Sequence, residues 1–272
     1  MSDSSGDPWW KERTVGDGEG VSLALGPLDL TVLRSPGEWR VASHIVDDER
    51  ERNRAEYQSV SELSEDEAEI ERYASGRDRD TLRLTPRTAD RAVVVRPRIP
   101  LLVPSGERIR IFVSAPVWVE VSIGRPWRSL CERPVKRLTD TWFGPSTREG
   151  ELAYSLRTHA RIGLEDLPFH HGRGTTPVVI TNRGEDTLAI ERFSLPVPYL
   201  SLYAGPEQRL WTEQVTMSRT EEDHMAEFKV GRGAPADQPD ATRVSGPRMV
   251  ADENLLVRAF ATLVKRVAGD DE

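Results

Sequence analysis

Three stretches of the sequence carry side chains able to do chemistry. The first is Arg157, His159 and Arg161, spaced by two residues, the period that sends side chains to one face of a strand. Guanidinium forks match carboxylate and phosphate geometry, so this stripe suits an anion or an acidic partner. A solvated strand face is the plainer alternative. The second is the histidine set. His170 and His171 are adjacent, which in an extended chain points them to opposite faces. With His159, and with Glu149 or Glu151 nearby in sequence, they approach the three ligands of an open zinc site. His159 is equally explained as one member of the polar stripe. The third is Leu138-Thr139-Asp140-Thr141-Trp142-Phe143-Gly144-Pro145. Asp140 could act there as a general acid or base beside an aromatic wall, given a tuned pKa or fixed geometry. The same residues also make a structural corner. Asp and Thr hydrogen-bond their own turn, the two rings bury large area, and Gly144-Pro145 reverses the chain.

The enzymatic reading joins these stretches into a hydrolase built on Asp140, Glu151 and His159. Glu151 and His159 are eight strand residues apart, roughly 26 Å at the usual rise, which counts against one shared centre. Cys131 lies between Leu130 and Glu132-Arg133-Pro134 with no glycine-rich elbow and makes a weak nucleophile. The phosphate loop, His-Glu-x-x-His and Gly-x-Ser-x-Gly motifs do not occur. Gly16, Gly18 and Gly20 miss the dinucleotide spacing, and Gly172-x-Gly174 precedes a strand, so it offers no helix N-terminus to a phosphate. The sequence therefore assigns no catalytic, cofactor-binding or metal-ligating residue and implies no cofactor. Asp140, Trp142, Arg157, His159 and Arg161 stand as candidates for a functional surface.

The elements that must position these residues read as strands. Val21, Leu23 and Leu25 alternate with polar or small residues, Gly26-Pro27 turns the chain, and Leu28, Leu30 and Val32 resume the alternation. Ser35-Pro36-Gly37 turns it again toward Trp39 and Val41. Later blocks, among them Ile109, Ile111, Val113 and then Val117, Val119, Val121, Ile123, repeat the pattern. Short strands with turn signals between them, and no alternating helical segments, predict a mainly β fold: antiparallel sandwiches or a sandwich-like body. Residues 1–85 read as an N-terminal β region and 86–230 as a β-sandwich domain. The segment 47–80 is a charged insert, expected as a long surface loop or a solvated helix around Val60 to Tyr73. Glycines and prolines give 231–248 a linker composition. Leu256, Phe260, Leu263 and Val267 then predict an amphipathic helix over 249–268, packed on its own sheet or on a partner.

Charge sharpens the picture. The chain has 272 residues and a net charge of −8. Between Asp47 and Asp80 stand thirteen acids and six arginines, a net −7, which leaves the remaining chain at −1. A general basic nucleic-acid binder is thereby excluded. The single cysteine precludes an intrachain disulfide, and no apolar run approaches the roughly 20 residues that span a bilayer. A cytoplasmic protein is expected.

The Leu138 to Pro145 segment, with Glu149-Gly150-Glu151-Leu152-Ala153-Tyr154, resembles the signature of the DUF432 family, found in archaea and some bacteria. Asp90 to Pro97, Ser114 to Val119 and Leu195 to Tyr203 resemble its other blocks, and Trp9-Trp10 and Gly26-Pro27-Leu28 fit its start. The resemblance spans Trp9 to Val230. The family carries no established activity, so no catalytic residue transfers. Its bacterial members tend to lie beside genes for small mechanosensitive channels, which implies a soluble partner of a membrane protein. The expected function is thus a non-catalytic β module for protein–protein interaction, an accessory of such a channel, with any membrane association indirect. The alternatives are the hydrolase and a sandwich that binds a small ligand or carbohydrate, for which Trp118 on a polar strand face is the one indication.

Overall fold

The computed structural model describes residues 7–46, 53–63, 69–76, 79–144, 148–219 and 226–250. The first strands are β1 (Arg13–Thr14), β2 (Gly20–Leu25), β3 (Leu28–Ser35) and β4 (Glu38–Ile45). Two-residue turns join β2 to β3 and β3 to β4. Each places a glycine in the left-handed region, Gly26 at φ 55° and Gly37 at φ 82°, where a side chain would be strained. The alternating residues Leu23, Leu25, Leu28, Leu30, Val32 and Val41 are all fully buried.

The charged insert is built differently from the sequence expectation. Among the described residues neither the long loop nor the helix around Val60 to Tyr73 is present: β5 (Ala55–Val60) and β6 (Glu69–Ala74) form the two edges of a five-stranded sheet in the order β5-β2-β3-β4-β6. Ala55 and Tyr57 pack on the core while Glu56 and Gln58 face solvent, so a short period of two hides among the charges. Edge strands tolerate charge because their outer side stays wet, and charge also deters edge-to-edge association. Several acids find arginine partners nearby. Arg72 and Arg40 both donate to Glu38 at 2.6 Å, Arg54 pairs with Asp29 at 2.6 Å, and Arg133 pairs with Glu71 at 2.7 Å.

This sheet packs against a four-stranded one formed by β1, β7 (Thr81–Arg87), β11 (Trp118–Ile123) and β12 (Arg128–Pro134). The boundary expected at 85/86 falls inside β7. The remaining strands are β8 (Val93–Pro97), β9 (Leu101–Val103), β10 (Arg108–Pro116), β13 (Thr139–Phe143), β14 (Glu151–Thr158), β15 (Arg173–Asn182), β16 (Leu188–Ile190), β17 (Phe193–Leu195), β18 (Leu202–Ala204), β19 (Leu210–Trp211), β20 (Val215–Arg219), β21 (Ala226–Val230) and β22 (Thr242–Ser245). A second four-stranded sheet runs β13-β14-β8-β17, and β10, β15 and β18 to β22 make a seven-stranded sheet. Most pairs are antiparallel, but β14 runs parallel to β8 and β15 runs parallel to β19 and β20. Val93, Val95, Ile111, Val113, Val178, Ile180, Phe193 and Leu195 form a core shared by these two sheets.

Neighbouring residues on one strand feed different cores. Val117, Val119 and Val121 join the N-terminal core, whereas Trp118 joins the second. Leu200 and Leu202 divide in the same way. The residues 231–248, expected as a linker, are packed instead. Thr242–Ser245 pairs with β18, and Ala234 and Ala241 rest on Tyr203 and Trp211. The Arg248 guanidinium reaches the Thr88 carbonyl at 2.8 Å and grips Glu132 with two bonds. Proline and glycine supply turns here, and small alanines let those turns lie flat on an aromatic ledge. The helix expected over 249–268 lies outside the described residues, except for Met249 and Val250. Among the described residues, no helix is long and apolar enough to cross a membrane.

Leu30→Ala and Ile180→Ala remove buried side chains from the two cores, and each costs about 3 kcal/mol. Because β11 and the Leu200–Leu202 stretch serve both cores, each substitution should shift one common transition in urea. Two transitions that move separately would mean independent folding of the cores.

Candidate functional site

A cleft of about 440 Å³ opens where β14 ends. Its wall carries Arg98, Lys136, Arg137, Arg157, Arg161 and Arg173, together with His159 and His170, and no carboxylate among the described residues. Ser114, Thr139, Ser155 and Thr158 add hydroxyls; the apolar part is limited to Leu138, Leu156, Leu167 and Pro168.

Strand pairing explains how these residues meet. The parallel pairing of β14 with β8 sets Thr158 opposite Pro97, and the Arg98 N–H donates to the Thr158 carbonyl at 2.9 Å. Arg98 thus emerges beside a residue sixty positions later in the chain. Antiparallel pairing of β13 with β14 sets Thr139 opposite Ser155, side by side on the sheet. At Ala160 the strand breaks. This alanine adopts φ 45° and is only 2% exposed, with its N–H donating to Thr158 Oγ1 at 3.3 Å. A left-handed non-glycine residue costs roughly 1 kcal/mol, and such outliers cluster at functional sites. The kink falls between His159 and Arg161. The Arg161 carbonyl then accepts the Phe112 N–H at 2.8 Å. All three members of the predicted stripe line the cleft.

Arg173 is held in place by β10: its Nε donates to Ser114 Oγ at 3.0 Å and its Nη2 to the Ser114 carbonyl at 2.5 Å. Asn53, from the charged insert, clamps the loop that carries His170. Its Nδ2 donates to the Phe169 carbonyl at 2.7 Å, and its Oδ1 accepts the His171 N–H at 3.0 Å. His170 and His171 part company, as their adjacency predicts. His170 lines the cleft, while the His171 ring meets Phe169 edge-on at 4.5 Å between centroids. Burial pushes the His171 imidazole below its ordinary pKa, against the pull of Glu207. Among the described residues no carboxylate lies within ion-pair distance of Arg98, Arg137, Arg157 or Arg161.

The other candidates lie elsewhere. Asp140 sits opposite Tyr154 on β13, exposed, and accepts from Arg91 at 3.1 Å. The Tyr154 hydroxyl donates to Asp90 at 2.9 Å, and burial with that carboxylate pushes its pKa up to about 12. Trp142 and Leu152 face each other across the hairpin, 44% and 48% exposed. Phe143 is buried with Val94 and Ala153. Gly144 approaches the Glu149 carbonyl so closely that a Cβ would lie 2.0 Å from it, which closes the corner. Glu151 is an exposed residue whose carboxylate lies 3.4 Å from the Ser194 hydroxyl, and burial of that head group raises its pKa. Asp140, Glu151 and His159 therefore do not converge. Trp118, the carbohydrate indication, is buried against Tyr154. Burial raises the Cys131 thiol, the opposite of an activated nucleophile. Among the described residues no group of three or more His, Cys, Asp or Glu could hold a metal ion. Arg98, Lys136, Arg137 and Arg173 escaped sequence reading because they come from three separate places: the end of β8, the β12–β13 connection and the start of β15. The dipeptide Lys136-Arg137, holding one of four lysines in the chain, was the only local hint.

Glu151 holds its proton more tightly when folded, so the native state carries the extra proton and loses stability as pH rises from the unfolded value through the raised one. Glu151→Gln should therefore raise the melting temperature at pH 7, by no more than about 2 °C for an exposed residue. The gain should vanish below about pH 4. A loss at pH 7 in differential scanning calorimetry would contradict this assignment.

Comparison with curated proteins and with solved structures finds no match. A family model described as a protein of unknown function matches residues 9–265, further than the stretch to Val230 that carries the resemblance in the sequence. Over nearly its whole length, the chain belongs to the DUF432 family.

Proposed function

We propose that this protein is a non-catalytic, sandwich-like β module that recognises an anionic group in the basic cleft. One observation carries the reading: six arginines and lysines converge on one cavity with no carboxylate among its described lining residues, in a chain whose net charge is −8. Such a concave, one-signed site focuses the field and raises the local concentration of an oppositely charged ligand. General acid–base chemistry at this cleft would draw on His159 or His170 alone, since Asp140 and Glu151 stand outside it.

The exposed pair Trp142 and Leu152 favours a second reading, a protein-interaction module. Trp142 lies on β13, the edge strand of its sheet, and Leu152 stands opposite it on β14. An edge strand with exposed apolar side chains suits strand addition by a partner chain. The channel partner implied by the family resemblance belongs to this reading. Under it, the cleft would hold an acidic segment of that partner.

Calorimetric titration of the full chain with inorganic pyrophosphate and with a hexaglutamate peptide tests the cleft at low salt. Arg157→Ala with Arg161→Ala should weaken binding of whichever anion is taken by at least about 10-fold, because each charge-assisted hydrogen bond contributes about 1.5–3 kcal/mol. Raising the salt to about 0.3 M should weaken it further. Asp140→Asn should leave binding unchanged. Equal binding by wild type and the double variant would remove the cleft from recognition.

A further inference from the structure

Resting on the anion-binding reading above, we propose that the cleft's ligand is a compact small molecule bearing two or more phosphate groups. Charge density is the first argument. The cavity, about 440 Å³, falls in the size range of small-ligand pockets, and six permanent cations line it. A phosphate monoester brings about −1.5 to −2 charges and three acceptor oxygens in a small volume. An extended acidic peptide advances about 3.3 Å per residue and alternates faces, so it offers one charge per roughly 7 Å. Clustered phosphates place more negative charge within this cavity than an extended acidic peptide does.

The orientation of the hydroxyls is the second. Ser114 Oγ accepts from Arg173 Nε at 3.0 Å, and Thr158 Oγ1 accepts from the Ala160 N–H at 3.3 Å. Each hydroxyl therefore has one of its two lone pairs engaged and its own proton left to give. Both line the cleft. Guanidinium groups have no acceptor at all. Donors thus outnumber acceptors on the wall, and its complement is a ligand rich in acceptors. Phosphate oxygens fit this, and bidentate arginine forks hold them more tightly than a single point charge would. The strain at Ala160 belongs to the same device, because the kink that sets the Thr158 hydroxyl also places Arg161 beside His159.

The third argument concerns what the wall omits. Among the described residues the wall has no Phe, Tyr or Trp; its rings are the imidazoles of His159 and His170, and the apolar residues are three leucines and a proline. Little of the wall is therefore spent on an organic body, and most of its polar groups are directed at phosphate oxygens.

Isothermal titration of the full chain with inorganic tripolyphosphate, monophosphate, inositol hexakisphosphate and hexaglutamate at equal ionic strength separates the outcomes. Tripolyphosphate or inositol hexakisphosphate should bind at least 10-fold more tightly than monophosphate or hexaglutamate. Arg98→Ala and Arg157→Ala, both exposed side chains, should each weaken that binding about 10- to 100-fold with an unchanged melting temperature. Thr139→Val should weaken it several-fold. Tighter binding of hexaglutamate, still sensitive to Arg157→Ala, would overturn the phosphate assignment and leave the anion-binding reading intact. Failure of every anion to bind, or binding indifferent to both arginine variants, would overturn both.

Discussion

The antiparallel pairing of β10 with β15 is the constraint on which the rest depends. Nine residue pairs run from Arg108–Thr181 to Pro116–Arg173. Ile111, Val113, Val178 and Ile180 bury one face of this ribbon in the second core, and Phe112 buries the opposite face with Trp211. A one-residue slip would send both sets to the wrong sides at once, so burial on two faces determines the register. Asn182 holds one end, with its amide donating to the carbonyls of Val103 and Asp186. Arg173 and Ser114 hold the other end, and they are also the floor of the cleft. The core and the site therefore share one registration.

Electrostatics divides the molecule in two. Ion pairs tie the acidic insert to its sheet where the chain is described: its Arg54 and Arg72 pair with Asp29 and Glu38, its Glu71 pairs with Arg133, and its strands serve as charged edges. Six cations meet in the cleft. Bulk charge predicts neither fact, because it averages acidic edge strands with a cation-lined cavity. The insert still reaches the site through Asn53, whose two bonds hold the loop carrying His170.

Local rules made much of the fold legible. The alternations in β2 and β3 and the turns at Gly26 and Gly37 follow from period-two burial and from the freedom of glycine at positive φ. Where local rules failed, composition masked pairing. Charges in 47–80 and glycines and prolines in 231–248 resemble unstructured chain, yet edge strands and aromatic ledges accept both, because each needs only a few inward-facing residues such as Tyr57 or Ala241.

For the candidate site the division is just as clear. Sequence by itself determined that the chain is mainly β, that it belongs with the DUF432 blocks it carries, and that Arg157, His159 and Arg161 share a polar side. It also placed Asp140 and Trp142 at a corner without settling their use. Only the tertiary structure decided that Arg98, Lys136, Arg137 and Arg173 join the stripe and that Glu151 and Asp140 do not. The reason is physical. Alternation encodes which way a side chain faces, whereas the neighbour it meets is set by pairing between strands such as β8 and β14, far apart in the chain, and that pairing depends on buried surface that no local window contains.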